Sequence, residues 1–217
     1  PDGESYVRFL TDVRGKCVDL VCSLADPDQG FLGLVFAADA ARDLGAREIT
    51  LVAPYLAYMR QDRRFRPGEA ISSKSFARLV SATFDRLVTV DPDEESEQWV
   101  SAIAARVGAP FTVLRKIRHG DRSVDVEVPD LDGWRGRQPV LADDIASSGR
   151  TLIEAARKLV LQGFAKPVCT VIHGVFAEDS YERLADLSSR IVSTDAVPHP
   201  SNAIALAPLV AEALTRA

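Results

Sequence analysis

The sequence predicts an α/β fold built on a largely parallel sheet. Short apolar runs rich in β-branched residues recur along the chain, and stretches with apolar residues at helical spacing alternate with them. Glycine follows several of the helical stretches, at Gly45, Gly108 and Gly163, where a left-handed helix end costs nothing without a Cβ. Strand–helix–strand alternation points to parallel pairing, because parallel neighbours need a crossover long enough to hold a helix.

Taken in order, Val18 to Cys22 reads as a strand, and Phe31 to Leu44 as a helix with Phe31, Leu34, Val35, Ala38 and Ala41 on one face. Ile49 to Ala53 is a strand stopped by Pro54; Ser72 to Ala82 is a helix and Leu87 to Val90 a strand. Asp93 to Val107 reads as a helix with an acidic first turn, and Phe111 to Leu114 as the next strand. The stretch from Arg115 to Gln138 lacks helical periodicity. The rhythm then repeats: strand Val140–Ala142 ending in Asp143 and Asp144, helix Thr151–Gln162, strand Val168–Ile172, helix Ser180–Leu187, strand Arg190–Ser193 and a terminal helix Pro208–Arg216.

The chain has 217 residues, 26 Lys and Arg against 31 Asp and Glu, and a net charge of −5. At about 150 residues per domain this is one large or two small domains. The acidic balance argues against a nucleic-acid partner, and no apolar run approaches the ~20 residues that span a bilayer. Cys17, Cys22 and Cys169 are an odd count without metal or disulfide spacing, so reduced, half-buried thiols in a cytoplasmic protein are expected. The opening residues do not read as a signal peptide, and the start at Pro1, inside a polar turn, suggests further residues upstream.

Three segments carry chemistry. Arg60, Arg63, Arg64 and Arg66 lie within seven residues just after a strand. Guanidinium forks grip phosphate oxygens in pairs, although a solvated loop has the same composition. Asp143-Asp144-Ile145-Ala146-Ser147-Ser148-Gly149-Arg150-Thr151 joins a strand to a helix. A helix start offers unpaired N–H groups to an anion, Ser and Thr add donors, and the acids suit sugar hydroxyls or magnesium; the competing reading is a serine cap. Arg115-Lys116-Ile117-Arg118-His119-Gly120 opens the irregular stretch, as a functional loop or an exposed hairpin. His173 and His199 lack a ligand companion in sequence and read as structural, as do Trp99 and Trp134.

Together these segments, with the opening Pro-Asp-Gly-Glu, the Val13-Arg14-Gly15-Lys16 turn, the run from Tyr55 to Glu69 and the terminal Ala207 to Leu214, resemble the ribose-phosphate diphosphokinase (PRPP synthetase) family over nearly the whole chain. The resemblance implies two phosphoribosyltransferase-like α/β domains, here 1–92 and 93–217. It implies Mg²⁺-dependent transfer of the diphosphoryl group of ATP to the 1-hydroxyl of ribose 5-phosphate, giving PRPP and AMP. It implies that Asp2 and Glu4 contact adenine in a neighbouring subunit, so that the protein is a homo-oligomer with shared sites. Arg60, Gln61 and Arg63 match ATP-binding positions. Asp143 and Asp144 match the pair that holds the ribose hydroxyls, and Ser147, Ser148, Gly149 and Thr151 the loop that receives the 5-phosphate. Lys116 and Arg118 match the cations of the catalytic loop.

The sequence also departs from that family. Ser147 stands where an Asp is usual, and Arg150 where Gly is frequent. Pro92-Asp93 continues as Glu94-Glu95-Ser96-Glu97 instead of a Gly-rich diphosphate loop. The family's metal-binding His, with a helix, a strand and their loops, has no counterpart between Asp91 and Asp93, so a segment is expected to be missing there. Two about 150-residue domains would need nearer 300 residues. The alternatives to the synthetase reading are a relative that binds nucleotide without turnover, motivated by Ser147 and the acidic run, and a phosphoribosyltransferase that consumes PRPP.

Overall fold

The computed structural model describes residues 4–90, 101, 104–106, 108–118 and 124–215; of residues 115–118, 124 and 125 it describes the backbone. The chain divides into two compact units, Pro1–Asp91 with Leu209–Ala217, and Pro92–Pro208. The end of the terminal helix thus groups with the first unit, where the sequence reading had placed it in the second.

The first unit holds β1 (Cys17–Val21), α1 (Pro27–Asp43), β2 (Glu48–Ala53), α2 (Ser72–Thr83) and β3 (Arg86–Thr89). Its sheet runs β1-β2-β3 with both pairs parallel. Central β2 is buried from Ile49 to Ala53, as expected for a strand covered on both faces. Ala38 and Ala41 of α1 and Phe76 and Val80 of α2 pack with β2 in one apolar cluster. Proline at the first turn pre-sets the α1 start, and Gly45, at φ 86°, ends it.

The second unit contains β4 (Arg115–Arg118), β5 (Val124–Glu127), β6 (Val140–Ala146), α3 (Arg150–Leu161), β7 (Val168–Gly174), α4 (Ser180–Leu187), β8 (Arg190–Thr194) and β9 (Asn202–Ile204); the last helix is α5 (Ala207–Thr215). Strands β6-β7-β8-β9 form a parallel sheet. Leu152, Ile153, Ala155, Ala156 and Leu159 of α3 pack with Leu141, Ala146, Cys169, Val171 and Leu184 in one core.

Several boundaries differ from the sequence reading. Strand β6 does not stop before the acids; it runs through Asp143 and Asp144 to Ala146, because β7 pairs with it as far as Gly174. Phe111–Leu114 is irregular: among the described residues no strand pairs with it, and Phe111 and Leu114 instead line a cavity of about 480 Å³ with Trp134 and Phe164. Arg115–Glu127 contains an antiparallel hairpin, β4 with β5, so the hairpin alternative holds for its backbone. Short β9 carried no sequence signal. The helix expected at 93–107 falls largely outside the described residues, although 101 and 104–106 are helical. Asp2, Trp99, His119 and the Pro92–Asp93 junction also lie outside them. All three cysteines are free thiols, Cys17 exposed, Cys22 half-buried and Cys169 buried, so only Cys22 matches the expected half-burial.

Candidate functional site

In the second unit the site is built at the carboxyl end of β6, where open parallel sheets present ligands. Asp143 and Asp144 sit half-buried on the strand itself. One oxygen of Asp143 accepts the Asp144 N–H at 3.0 Å, and one of Asp144 accepts the Ile145 N–H at 2.8 Å. These local bonds orient both carboxylates, whose two oxygens each can accept more than one hydrogen bond.

Ser147, Ser148 and Gly149 then turn the chain into α3. Gly149 is the N-terminal cap residue at φ 61°, and no side chain caps the helix. The capping alternative for Ser147 and Ser148 is therefore corrected, since neither hydroxyl reaches back to the helix. Among the described residues the hydroxyls of Ser147, Ser148 and Thr151, and the N–H groups of Ser148 and Gly149, have no hydrogen-bond partner. At the start of a 12-residue helix, whose dipole is positive there, these donors have the chemistry to receive an anion. Arg150 is the first residue of α3 and exposed, adding a cation at the same end.

The loop is held from behind. The Ser147 carbonyl accepts the Ala177 N–H at 2.9 Å and the Ser180 hydroxyl at 3.1 Å, and the Ala146 carbonyl accepts the Phe176 N–H at 2.8 Å. Sequence reasoning missed this turn between β7 and α4, because Phe176 and Ala177 carry no recognisable chemistry and Ser180 reads as an ordinary helix start.

Lys116 and Arg118 lie two residues apart on β4, opposite Val126 and Val124. Val126 is fully buried in the core that α3 builds, and the Lys158 ammonium of α3 donates to the Val126 carbonyl at 2.7 Å, so β5 is fastened to α3.

In the first unit the arginine loop follows β2. Glu69 organises it: one carboxylate oxygen accepts the N–H groups of Phe65 and Arg66, both at 2.9 Å, and the Glu69 carbonyl accepts from the Arg64 side chain at 3.0 Å. Arg60 and Arg63 are exposed and have no ion-pair partner among the described residues; Arg63 lies over the Phe65 ring at 5.3 Å. Burial pushes the Tyr55 hydroxyl above its ordinary pKa, and the Arg60 charge pulls it back. Gln61 is tied down, its side-chain oxygen accepting from the Ser72 hydroxyl at 2.8 Å. Tyr58, at φ 65°, bonds Asp28 through its hydroxyl and packs in a tilted arrangement against Phe76 at 5.0 Å. Glu4 is described and exposed.

His173 is buried on β7, and His199 packs against Phe176 and Tyr181, each at 4.6 Å; both positions suit the structural reading. Among the described residues no three His, Cys, Asp or Glu side chains gather as a metal site, and no helix is long and apolar enough to cross a membrane.

A parallel sheet whose strand carries paired acids into a Ser-Ser-Gly anion loop defines a phosphoribosyltransferase-type domain, and the family model of the phosphoribosyl transferase domain matches residues 55–194. The model of the N-terminal domain of ribose phosphate pyrophosphokinase matches residues 1–83. The chain belongs to the ribose-phosphate pyrophosphokinase family. The relative of that name from Methanopyrus kandleri is 33% identical over 256 aligned positions, covering 99% of this chain and 87% of its own length. The one from Methanosarcina acetivorans is 30% identical, covering 100% and 88%. The crystal structure of phosphoribosylpyrophosphate synthetase from Mycobacterium smegmatis superposes with a TM-score of 0.76 over 99% of this chain and 86% of that chain, at 24% identity. The fold is accordingly a pair of phosphoribosyltransferase-like α/β domains. An alignment of 256 positions against 217 residues leaves at least 39 positions of the Methanopyrus alignment without a residue here.

Proposed function

We propose that this protein transfers the β,γ-diphosphoryl group of ATP to the 1-hydroxyl of ribose 5-phosphate, forming PRPP and AMP. The observation that carries this reading is the loop after β6, in which the Ser147, Ser148 and Thr151 hydroxyls and the Ser148 and Gly149 N–H groups have no acceptor among the described residues, and which follows Asp143 and Asp144 on one strand. One sugar phosphate fits both: its phosphate takes the loop N–H and hydroxyl donors, and its ribose hydroxyls donate to the two carboxylates. The heads of Arg60 and Arg63, which have no ion-pair partner among the described residues, then serve the second substrate, neutralising the phosphates of ATP.

The reaction asks for positioning and charge neutralisation rather than covalent chemistry from the protein. The ribose 1-oxygen forms a bond to the β-phosphorus, the bond to the α-phosphate oxygen breaks, AMP leaves and the hydroxyl proton passes to solvent. Lys116 and Arg118 act as the cations that meet the transferring group. Asp143 and Asp144 fit a magnesium requirement, since that ion is content with one or two carboxylates beside substrate phosphates and water. Magnesium would supply further neutralisation of the triphosphate. Asp2 and Glu4 contact adenine from a neighbouring subunit, so the working form is a homo-oligomer, and the protein is cytoplasmic.

The test is incubation with Mg-ATP and ribose 5-phosphate, following AMP and PRPP together. Equal amounts of the two products support the reading; ATP binding with no AMP shifts it to a nucleotide-binding relative without turnover. Ser147 favours that second reading, because a hydroxyl stands where a carboxylate is usual. Release of diphosphate from PRPP plus a base would instead mark a phosphoribosyltransferase.

A further inference from the structure

We infer that Ser180 is a positioning residue for the sugar-phosphate loop: its buried hydroxyl turns the Ser147–Ser148 peptide so that the Ser148 N–H faces the bound phosphate. The inference rests on the proposed binding of ribose 5-phosphate to that loop.

The geometry runs through one carbonyl. Ser180 is 2% exposed, at the first position of α4, and its hydroxyl donates to the Ser147 oxygen at 3.1 Å. The Ala177 N–H reaches the same oxygen at 2.9 Å. A carbonyl held by two donors cannot swing, and in a trans peptide the next N–H points the opposite way. The Ser148 N–H is thereby aimed away from the β7–α4 turn, and among the described residues nothing accepts it. Ser180 also packs directly beside the loop, since a Cβ on Gly149 would meet the Ser180 Cβ at 3.4 Å, an ordinary van der Waals contact.

The turn that delivers Ser180 is itself rigidly built. Phe176 and Glu178 adopt left-handed backbone, at φ 43° and 57°, a conformation that costs a non-glycine residue about 1 kcal/mol or more and persists only where the surroundings enforce it. The surroundings do so here. The Phe176 ring lies so close over Gly174 that a Cβ there would sit 2.7 Å from it, and Tyr181 and His199 pack on the Phe176 ring itself at 5.3 and 4.6 Å. A strained turn, fixed by packing, thus carries the donor that fixes the phosphate loop.

The experiment compares the full chain with Ser180→Ala, Ser180→Cys and Ser180→Thr. Alanine removes the donor, cysteine keeps the size but donates poorly, and threonine keeps the hydroxyl. One hydrogen bond in this position is worth about three- to tenfold in affinity. The Michaelis constant for ribose 5-phosphate, and its dissociation constant by calorimetry, are expected to rise by about that factor in the alanine and cysteine variants. The Michaelis constant for ATP should stay within about twofold, and threonine should restore the wild-type value. A merely structural role would move both substrates together, or all three variants alike, and either pattern overturns the inference, as does unchanged affinity in the alanine and cysteine proteins. If the wild-type chain itself does not bind ribose 5-phosphate, the substrate reading has failed and not the peptide geometry alone.

Discussion

Gly149 shows how much of the site depends on single atoms. Its φ of 61° completes the three-residue turn by which the chain leaves β6 and enters α3. A side chain there meets ordinary contacts at 3.4 Å from Ile153 and Ser180, so the obstacle to substitution is backbone conformation rather than space. Gly149→Ala is expected to lower stability by about 1–2 kcal/mol and to weaken ribose 5-phosphate binding more than ATP binding; thermal unfolding and the two Michaelis constants measure this. Lys116 belongs to the same scale. If it meets the transferring group, Lys116→Ala reduces turnover about tenfold or more with the thermal transition unchanged. A wild-type rate in that variant would remove Lys116 from the catalytic set.

Among the elements, the arginine loop after β2 and the hairpin β4–β5 each hang on a small number of fastenings. Glu69 holds the loop through two backbone N–H groups and does not neutralise Arg60 or Arg63. Glu69→Ala is therefore expected to raise the Michaelis constant for ATP several-fold while that for ribose 5-phosphate holds, measured by initial rates with each substrate varied. The converse pattern would mean that the loop serves the sugar phosphate. Sequence reading located this loop because four arginines in seven residues stand out locally. It assigned no role to Glu69, because a carboxylate 16 residues past the end of β2 gives no hint that it folds back onto the loop's own amides. Within Arg115–Gln138 the pairing of β4 with β5 was not legible locally, because Val126 is buried in the α3 core and its carbonyl is bonded by Lys158, 32 residues away.

The whole molecule responds to pH through groups that burial has shifted. His199 accepts the Ser201 N–H at its Nδ1, at 3.2 Å, and the Ser201 hydroxyl lies 2.8 Å from the same atom, so the ring is held neutral with its proton on Nε2. Burial lowers its pKa from 6.5, against an opposing pull from Glu182. The unfolded chain binds that proton more readily, so stability contributed by neutral His199 is present above about pH 6.5 and is lost as pH falls below it. Denaturant midpoints between pH 7.5 and 5 should decline, and His199→Gln should flatten the decline. At the alkaline side burial raises the Cys169 thiol. Its contribution is present below the unfolded thiol's pKa and is lost as pH rises past it, which Cys169→Ala would remove.

Sequence alone determined the alternation of strands and helices, the carboxyl-end position of both candidate loops, and the chemistry those loops offer, since each of these is written in contiguous residues within one turn of strand or helix. Family membership was legible for the same reason, in the run from Tyr55 to Glu69 and in Asp143 to Thr151. Only the tertiary structure decided that β6 extends through its acids, that no side chain caps α3, and that the turn from Phe176 to Ser180 grips the Ser147 carbonyl. Those outcomes depend on pairing and packing between residues about 30 positions apart, such as Ser147 and Ser180, and no local pattern encodes which distant donor a given carbonyl will meet.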